Sequence, residues 1–153
     1  MWRNLDEWQA LRAGDACPIC RRGTPNNVIL ELESSWLTFS ESGPMRGYAC
    51  LVFRRHAVEL HDLNEAEGAV FMRAARRVSS ALAEVTGAIK LNYEIHGNTL
   101  PHLHMHFFPR YVGDPFEGRP IDPSSVLVSP YGPGEFEAMR ERLADALRRG
   151  PSA

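Results

Sequence analysis

Apolar positions recur at helical spacing in three stretches of this chain, and they alternate or run together as strands in between. The first helical stretch is short, Leu5 to Ala13, with Asn4 placed to cap it, Glu7 at the third helical position and Gly14 to stop it. Leu5, Trp8 and Leu11 form its apolar side. The second is the longest. Asn64 and Glu67 make a capping box, Gly87 ends the helix, and Val70, Phe71, Ala74, Ala75, Val78, Ala81, Leu82 and Val85 share one face. Arg73, Arg76 and Arg77 lie toward the other face and read as solvated charge. The third, about Glu135 to Arg149, aligns Phe136, Met139, Leu143 and Leu147.

Strand signals fill the intervals. Val28 to Glu33 and Trp36 to Ser40 are separated by Ser34 and Ser35. Gly47 leads into the apolar run Tyr48 to Phe53, suited to a buried strand, and Ile89 to Ile95 alternates. The loop His96 to Pro101 then enters the stretch Pro101 to Phe108, PHLHMHFF. Val112 to Pro133 is rich in Gly and Pro and reads as a long loop. Helix, strands, helix, strands and helix in that order predict an α+β fold. An antiparallel sheet of about five strands carries the long helix on one face, with further helices at the two termini.

The stretch PHLHMHFF places a histidine at every second position. In a strand, His102, His104 and His106 would share one face, while Leu103, Met105 and Phe107 pack under the long helix. At about 3.3 Å rise per residue, the Cα atoms of His102 and His106 stand about 13 Å apart. Metal–nitrogen bonds of about 2.1 Å make one ion a poor fit to all three. The alternative is a division of labour among the three rings.

Composition narrows the function classes. The 153 residues imply one domain, with a core from about residue 17 to 111, the loop 112–133 and the helix 134–149. With 44% hydrophobic residues, 24% charged residues and a formal net charge of −2, no basic footprint supports tight non-specific nucleic-acid binding. No apolar run suits a membrane span, and MWRNLDEWQA lacks the apolar core of a signal peptide, so a cytoplasmic protein is expected. In a reducing compartment Cys17 and Cys20, two residues between them, read first as half a metal site, then as a redox pair, and least as a disulfide. Cys50 sits in an apolar run and reads as an inert core residue.

The run His102 to Phe108 resembles the His-φ-His-φ-His-φ-φ signature, φ being apolar, of the histidine-triad superfamily of nucleotide hydrolases and transferases. Asn92 to Asn98, Pro109-Arg110, Gly47-Tyr48 and the Cys17/Cys20 pair resemble bacterial members described as dinucleoside polyphosphate hydrolases. The resemblance implies a homodimeric enzyme acting at a nucleotide α-phosphate, on dinucleoside polyphosphates such as diadenosine tetraphosphate or on nucleoside phosphoramidates. It makes His104 the nucleophile that forms a covalent nucleotidyl-histidine, and His106 a contact to the phosphoryl oxygens. Asn98 and Asn92 become donors near the nucleotide. By charge alone, Arg110 and Arg119 read as polyphosphate contacts, with a surface role favoured for Arg119. By the same resemblance, Cys17, Cys20, His56 and His102 form a structural zinc site without an open position.

Two departures stand out. Many members carry an acidic residue, which bonds the ribose hydroxyls, where this chain has Ser40 with Glu41 beside it. The loop Gly97-Asn98-Thr99 is short, and His96 within it reads as an exposed histidine. Two rivals remain: a metal-dependent hydrolase using His102 and His104, and a nucleotide-binding module without turnover.

Overall fold

A computed structural model describes residues 2–122 and 130–149 of the chain. The part of the expected long loop that spans residues 123–129 lies outside the described residues. Five strands, β1 (Val28–Glu31), β2 (Ser35–Phe39), β3 (Ala49–Phe53), β4 (Lys90–Glu94) and β5 (His104–Arg110), form one antiparallel sheet in the order β1-β2-β3-β5-β4. Helices α1 (Leu5–Arg12), α2 (Pro18–Arg22), α3 (Glu65–Thr86) and α4 (Glu135–Arg149) complete the α+β architecture.

The long helix forms where the capping chemistry predicts. The Asn64 side chain accepts from the Glu67 amide, the Glu67 side chain accepts from the Asn64 amide, and Gly87 closes the helix at φ +65°. Its buried face, Phe71, Ala75, Val78, Ala81, Leu82 and Val85, packs with Leu143 and Leu147 of α4 against Leu51, Phe53, Met105 and Phe107. Each fully buried Phe or Leu contributes about 2 kcal/mol of transfer free energy. Period two then sends Cys50 and Val52 of β3 to the opposite face, where Trp36, Cys17 and Ile19 cover them. Both faces of the central strand are therefore buried.

Two expectations need correcting. Helix α1 keeps its Asn4 cap but buries no residue, and Leu5 is 66% exposed. Its C-terminal end is held by a polar tie instead, from His56 Nε2–H to the carbonyl of Arg12 at 2.8 Å. The histidine strand also starts later than the period implies. Pro101 has no amide hydrogen, the His102 amide turns back to the Leu100 carbonyl, and regular pairing with β3 begins at His104. His104 and His106 remain on one face, while His102 is 1% exposed beneath the Cys17–Cys20 segment. The histidine face is thus sealed at one end.

Candidate functional site

The sealed end gathers four ligand-type side chains. Cys17 caps α2 and Cys20 lies within it, so the short helix delivers both sulfurs to one point. His102 Nδ1 stands 3.5 Å from Cys17 Sγ and 3.6 Å from Cys20 Sγ. His56 Nδ1 stands 3.3 Å from Cys20 Sγ and 3.3 Å from His102 Nδ1. Bonds of about 2.3 Å to sulfur and about 2.1 Å to nitrogen around a tetrahedral ion give edges of about 3.6 Å and 3.4 Å, close to these spacings. The outer ring nitrogens confirm the orientation. His102 Nε2–H donates to the Phe53 carbonyl at 2.7 Å and His56 Nε2–H to that of Arg12, so both Nδ1 lone pairs face inward. Two lone pairs 3.3 Å apart repel unless a cation lies between them. Burial and the neighbouring Cys17 push the Cys20 thiol up to about 11, so a thiolate there also calls for a cation. The donor set therefore suits a four-coordinate metal with no open position.

Two residues further along, His104 serves a different purpose. Its Nδ1–H donates to the backbone carbonyl of His102 at 2.6 Å, leaving a lone pair on Nε2. Burial lowers its pKa, opposed by that hydrogen bond and aided by His96, which keeps the ring neutral. His104 lines a cavity of about 390 Å³ together with Ser40, Ser42, Gly43, Tyr48, Leu100 and residues of the sheet face. The Ser40 and Ser42 hydroxyls lie 3.1 Å apart at its wall.

His106 lies beside His104, with ring centroids 4.6 Å apart and planes nearly perpendicular. Burial, with His104 and His96 nearby, pushes its pKa down to about 4. Its Nδ1 meets the Tyr48 hydroxyl at 2.8 Å. Tyr48 lies tilted against Phe108 and closes over Gly43, where a Cβ would come within 2.5 Å of the phenol ring. His96, expected as a bystander, places its ring centroid 5.7 Å from that of His106 and its Nε2 2.8 Å from Glu94 Oε2. Sequence reasoning missed both neighbours. Gly47-Tyr48 was legible as a strand entry, but its contact with β5 depends on β3 and β5 being neighbours.

The remaining candidates separate. Asn98 faces another hollow, of about 490 Å³, with Trp2, Arg3 and Thr99. Asn92 and Arg110 lie on the histidine face but bond to each other, Arg110 Nη1 to Asn92 Oδ1 at 2.6 Å. The other Arg110 donors reach both carboxylate oxygens of Asp114 and the carbonyls of Phe116 and Arg119. All five N–H groups are committed within the protein. Arg110, expected as a polyphosphate contact, here ties down the chain that follows β5. The Arg119 side chain bonds the Pro115 carbonyl in the same turn.

The HIT domain family model matches residues 21–113, which hold the three histidines and His56. The chain belongs to the HIT domain family. Among solved structures, this HIT chain is similar to a histidine triad protein from Bradyrhizobium japonicum, with 32% identity over 86% of this chain and 93% of that one and a TM-score of 0.66. A Zn-bound histidine triad family protein from Mycobacterium smegmatis is 23% identical over 93% of this chain and 92% of that one, with a TM-score of 0.60. A diadenosine triphosphate hydrolase from Plasmodium falciparum is 15% identical over 80% and 75%, with a TM-score of 0.55, and shares the fold. A search of curated proteins finds no match. Among the described residues of this HIT protein, no helix is long and apolar enough to cross a membrane.

Proposed function

We propose that this HIT protein cleaves or transfers at the α-phosphate of a nucleotide through a covalent nucleotidyl-histidine on His104. Dinucleoside polyphosphates and nucleoside phosphoramidates are the proposed substrates. The observation that carries this reading is the hydrogen bond from His104 Nδ1–H to the His102 carbonyl, which turns the Nε2 lone pair into a nucleophile beside a nucleoside-sized cavity. A bond forms between Nε2 and the α-phosphorus while the bond to the leaving phosphate or amine breaks. Water, or another acceptor, then attacks the same phosphorus, the P–N bond breaks, and its electron pair returns to Nε2. The acceptor's proton goes to solvent or to the departing group. His106 is assigned to the phosphoryl oxygens, where negative charge grows, while Asn98 faces the neighbouring hollow. The Ser40 and Ser42 hydroxyls are assigned to the ribose in place of a carboxylate. Asn92 acts through Arg110, as a support for that wall. Likeness to the diadenosine triphosphate hydrolase supports the substrate class.

The rival with an ion shared by His102 and His104 finds no geometry here. Both ring nitrogens of His102 are committed, one to the cysteine cluster and one to the Phe53 carbonyl. Zinc held by Cys17, Cys20, His56 and His102 would instead brace α2 against the approach to β5. A homodimer is supported by the outer edge of β4, which no strand covers among the described residues and where Tyr93 is 49% exposed and neighbouring Ile89 70%.

The test is a rapid denaturing quench at alkaline pH during turnover of diadenosine tetraphosphate and of adenosine phosphoramidate, followed by peptide mass spectrometry. An adenylyl group on His104 is the expected result. Turnover without any adduct at His104 would refute the covalent route, and binding without turnover of either substrate would favour the non-enzymatic module. Native mass spectrometry addresses the remaining two assignments, with two chains and two zinc ions as the expected mass. Metal-free chains after preparation in zinc-containing buffer would rule out the zinc, and a monomer across micromolar concentrations would rule out the dimer.

A further inference from the structure

We propose that Tyr48 holds His106 as the Nε2–H tautomer, so that neighbouring histidines carry opposite tautomers: a lone pair on His104 Nε2 and a hydrogen on His106 Nε2. The inference rests on the proposed nucleotidyl chemistry for its meaning, but not for its geometry.

A neutral imidazole has one ring hydrogen, and two arrangements are compatible with a 2.8 Å contact between the Tyr48 oxygen and His106 Nδ1. In one, the phenol donates and Nε2 keeps the hydrogen. In the other, Nδ1–H donates and the phenol's own hydrogen must find another acceptor. Among the described residues the Tyr48 hydroxyl has Nδ1 as its single partner. The second arrangement therefore strands a donor in a half-buried place, which the first avoids. The environment keeps both groups in the required protonation states. Burial, and more weakly Cys50, push the phenol up, so it stays an O–H donor, and burial holds His106 neutral at physiological pH.

Packing fixes the contact. The Tyr48 ring is tilted on Phe108 with centroids 5.2 Å apart and roughly parallel to His106 at 5.9 Å. Gly43 leaves the space the ring occupies. Tyr48 also lines the cavity that holds His104, and the His106 ring lies 4.6 Å from that of His104 by centroids, which sets the pair beside the proposed nucleophile. An N–H at His106 Nε2 supplies what the neutral pair otherwise lacks, a donor for phosphoryl oxygens. Tyr48 is thus a positioning residue, acting through His106.

Long-range proton–nitrogen NMR on protein labelled with ¹⁵N-histidine reads ring tautomers directly. At neutral pH the wild type should show His104 protonated at Nδ1 and His106 at Nε2. Tyr48→Phe keeps the ring and removes the donor. It should shift the His106 tautomer ratio roughly fivefold toward Nδ1–H, a change within reach of one neutral hydrogen bond, and leave His104 unchanged. Turnover should fall by a comparable factor with KM near its wild-type value. Wild-type His106 protonated at Nδ1 overturns the proposal without any variant, and so does an unchanged ratio in Tyr48→Phe. Unaltered turnover in Tyr48→Phe overturns the positioning role. Full activity in a His104→Ala variant would instead refute the covalent chemistry, and the tautomer measurement would stand apart from it.

Discussion

Replacing His104 with alanine is expected to lower turnover by roughly 10⁴-fold or more while the protein stays folded. The size follows from what is lost. Alanine deletes the proposed nucleophile, so displacement at phosphorus would have to proceed by direct attack of water on a substrate that is merely held and polarised. His106 and the cavity survive the change, and their contribution sets the residual rate. The side chain is only partly buried, and its one hydrogen bond goes to a backbone carbonyl, so the melting temperature should move little. Initial rates against a matched preparation decide the matter, and equal rates for variant and wild type would refute the assignment.

The largest loss of stability is expected from Asp114→Ala. Arg110 and Asp114 side chains are 10% and 5% exposed, and the carboxylate accepts from Arg110 Nε and Nη2 at 2.8 Å each. Removing the carboxylate leaves a buried guanidinium without its counter-charge, at a cost of about 3–5 kcal/mol. For a domain of this length that lowers the melting temperature by on the order of 10 °C. Glu31→Ala is the control. Its pair with Arg54 is 65% and 40% exposed, so its loss costs about 1 kcal/mol or less. Similar losses in the two variants would refute the claim that burial sets the strength of the Arg110 pair.

The same pair predicts an acid limb. The Arg110 guanidinium, with the Phe116 and Tyr111 amides, pulls the Asp114 carboxyl down to about 2. A carboxyl depressed on folding contributes stability that is complete above its unfolded value near 4 and is lost as pH falls toward 2. His106, held to about 4 against an ordinary 6.5, acts in a separate window. The unfolded chain binds that proton more readily, so stability declines as pH falls from about 6.5 to 4. Asp114→Ala should abolish the lower limb and retain the upper one.

Local chemistry made much of this fold readable. The Asn64–Glu67 box and Gly87 place α3 to the residue, because capping is decided within four positions of the chain. The gathering of Cys17, Cys20, His56 and His102, and the shared face of His104 and His106, were also accessible, from motif spacing and family resemblance. What escaped depends on strand order. Tyr48 reaches His106 only because β5 pairs with β3, across more than fifty residues of intervening chain. Arg110 looked available to a ligand because a charge following a histidine strand says nothing of the loop that folds back around it. Leu5 fell on an apolar side yet is exposed, because periodicity records amphipathicity, not whether a partner surface lies opposite.

His102 contributes its ring to one centre and its carbonyl to the next. The two contributions differ in how they can be inherited. Any substitution at position 102 removes the ring, but every amino acid supplies the carbonyl. Metal affinity is therefore open to point mutation at this position, whereas the acceptor that orients His104 is written into the path of the main chain. A lineage could abandon the proposed ion in a single codon change and still keep a correctly turned His104 ring, provided the bend after Pro101 survives.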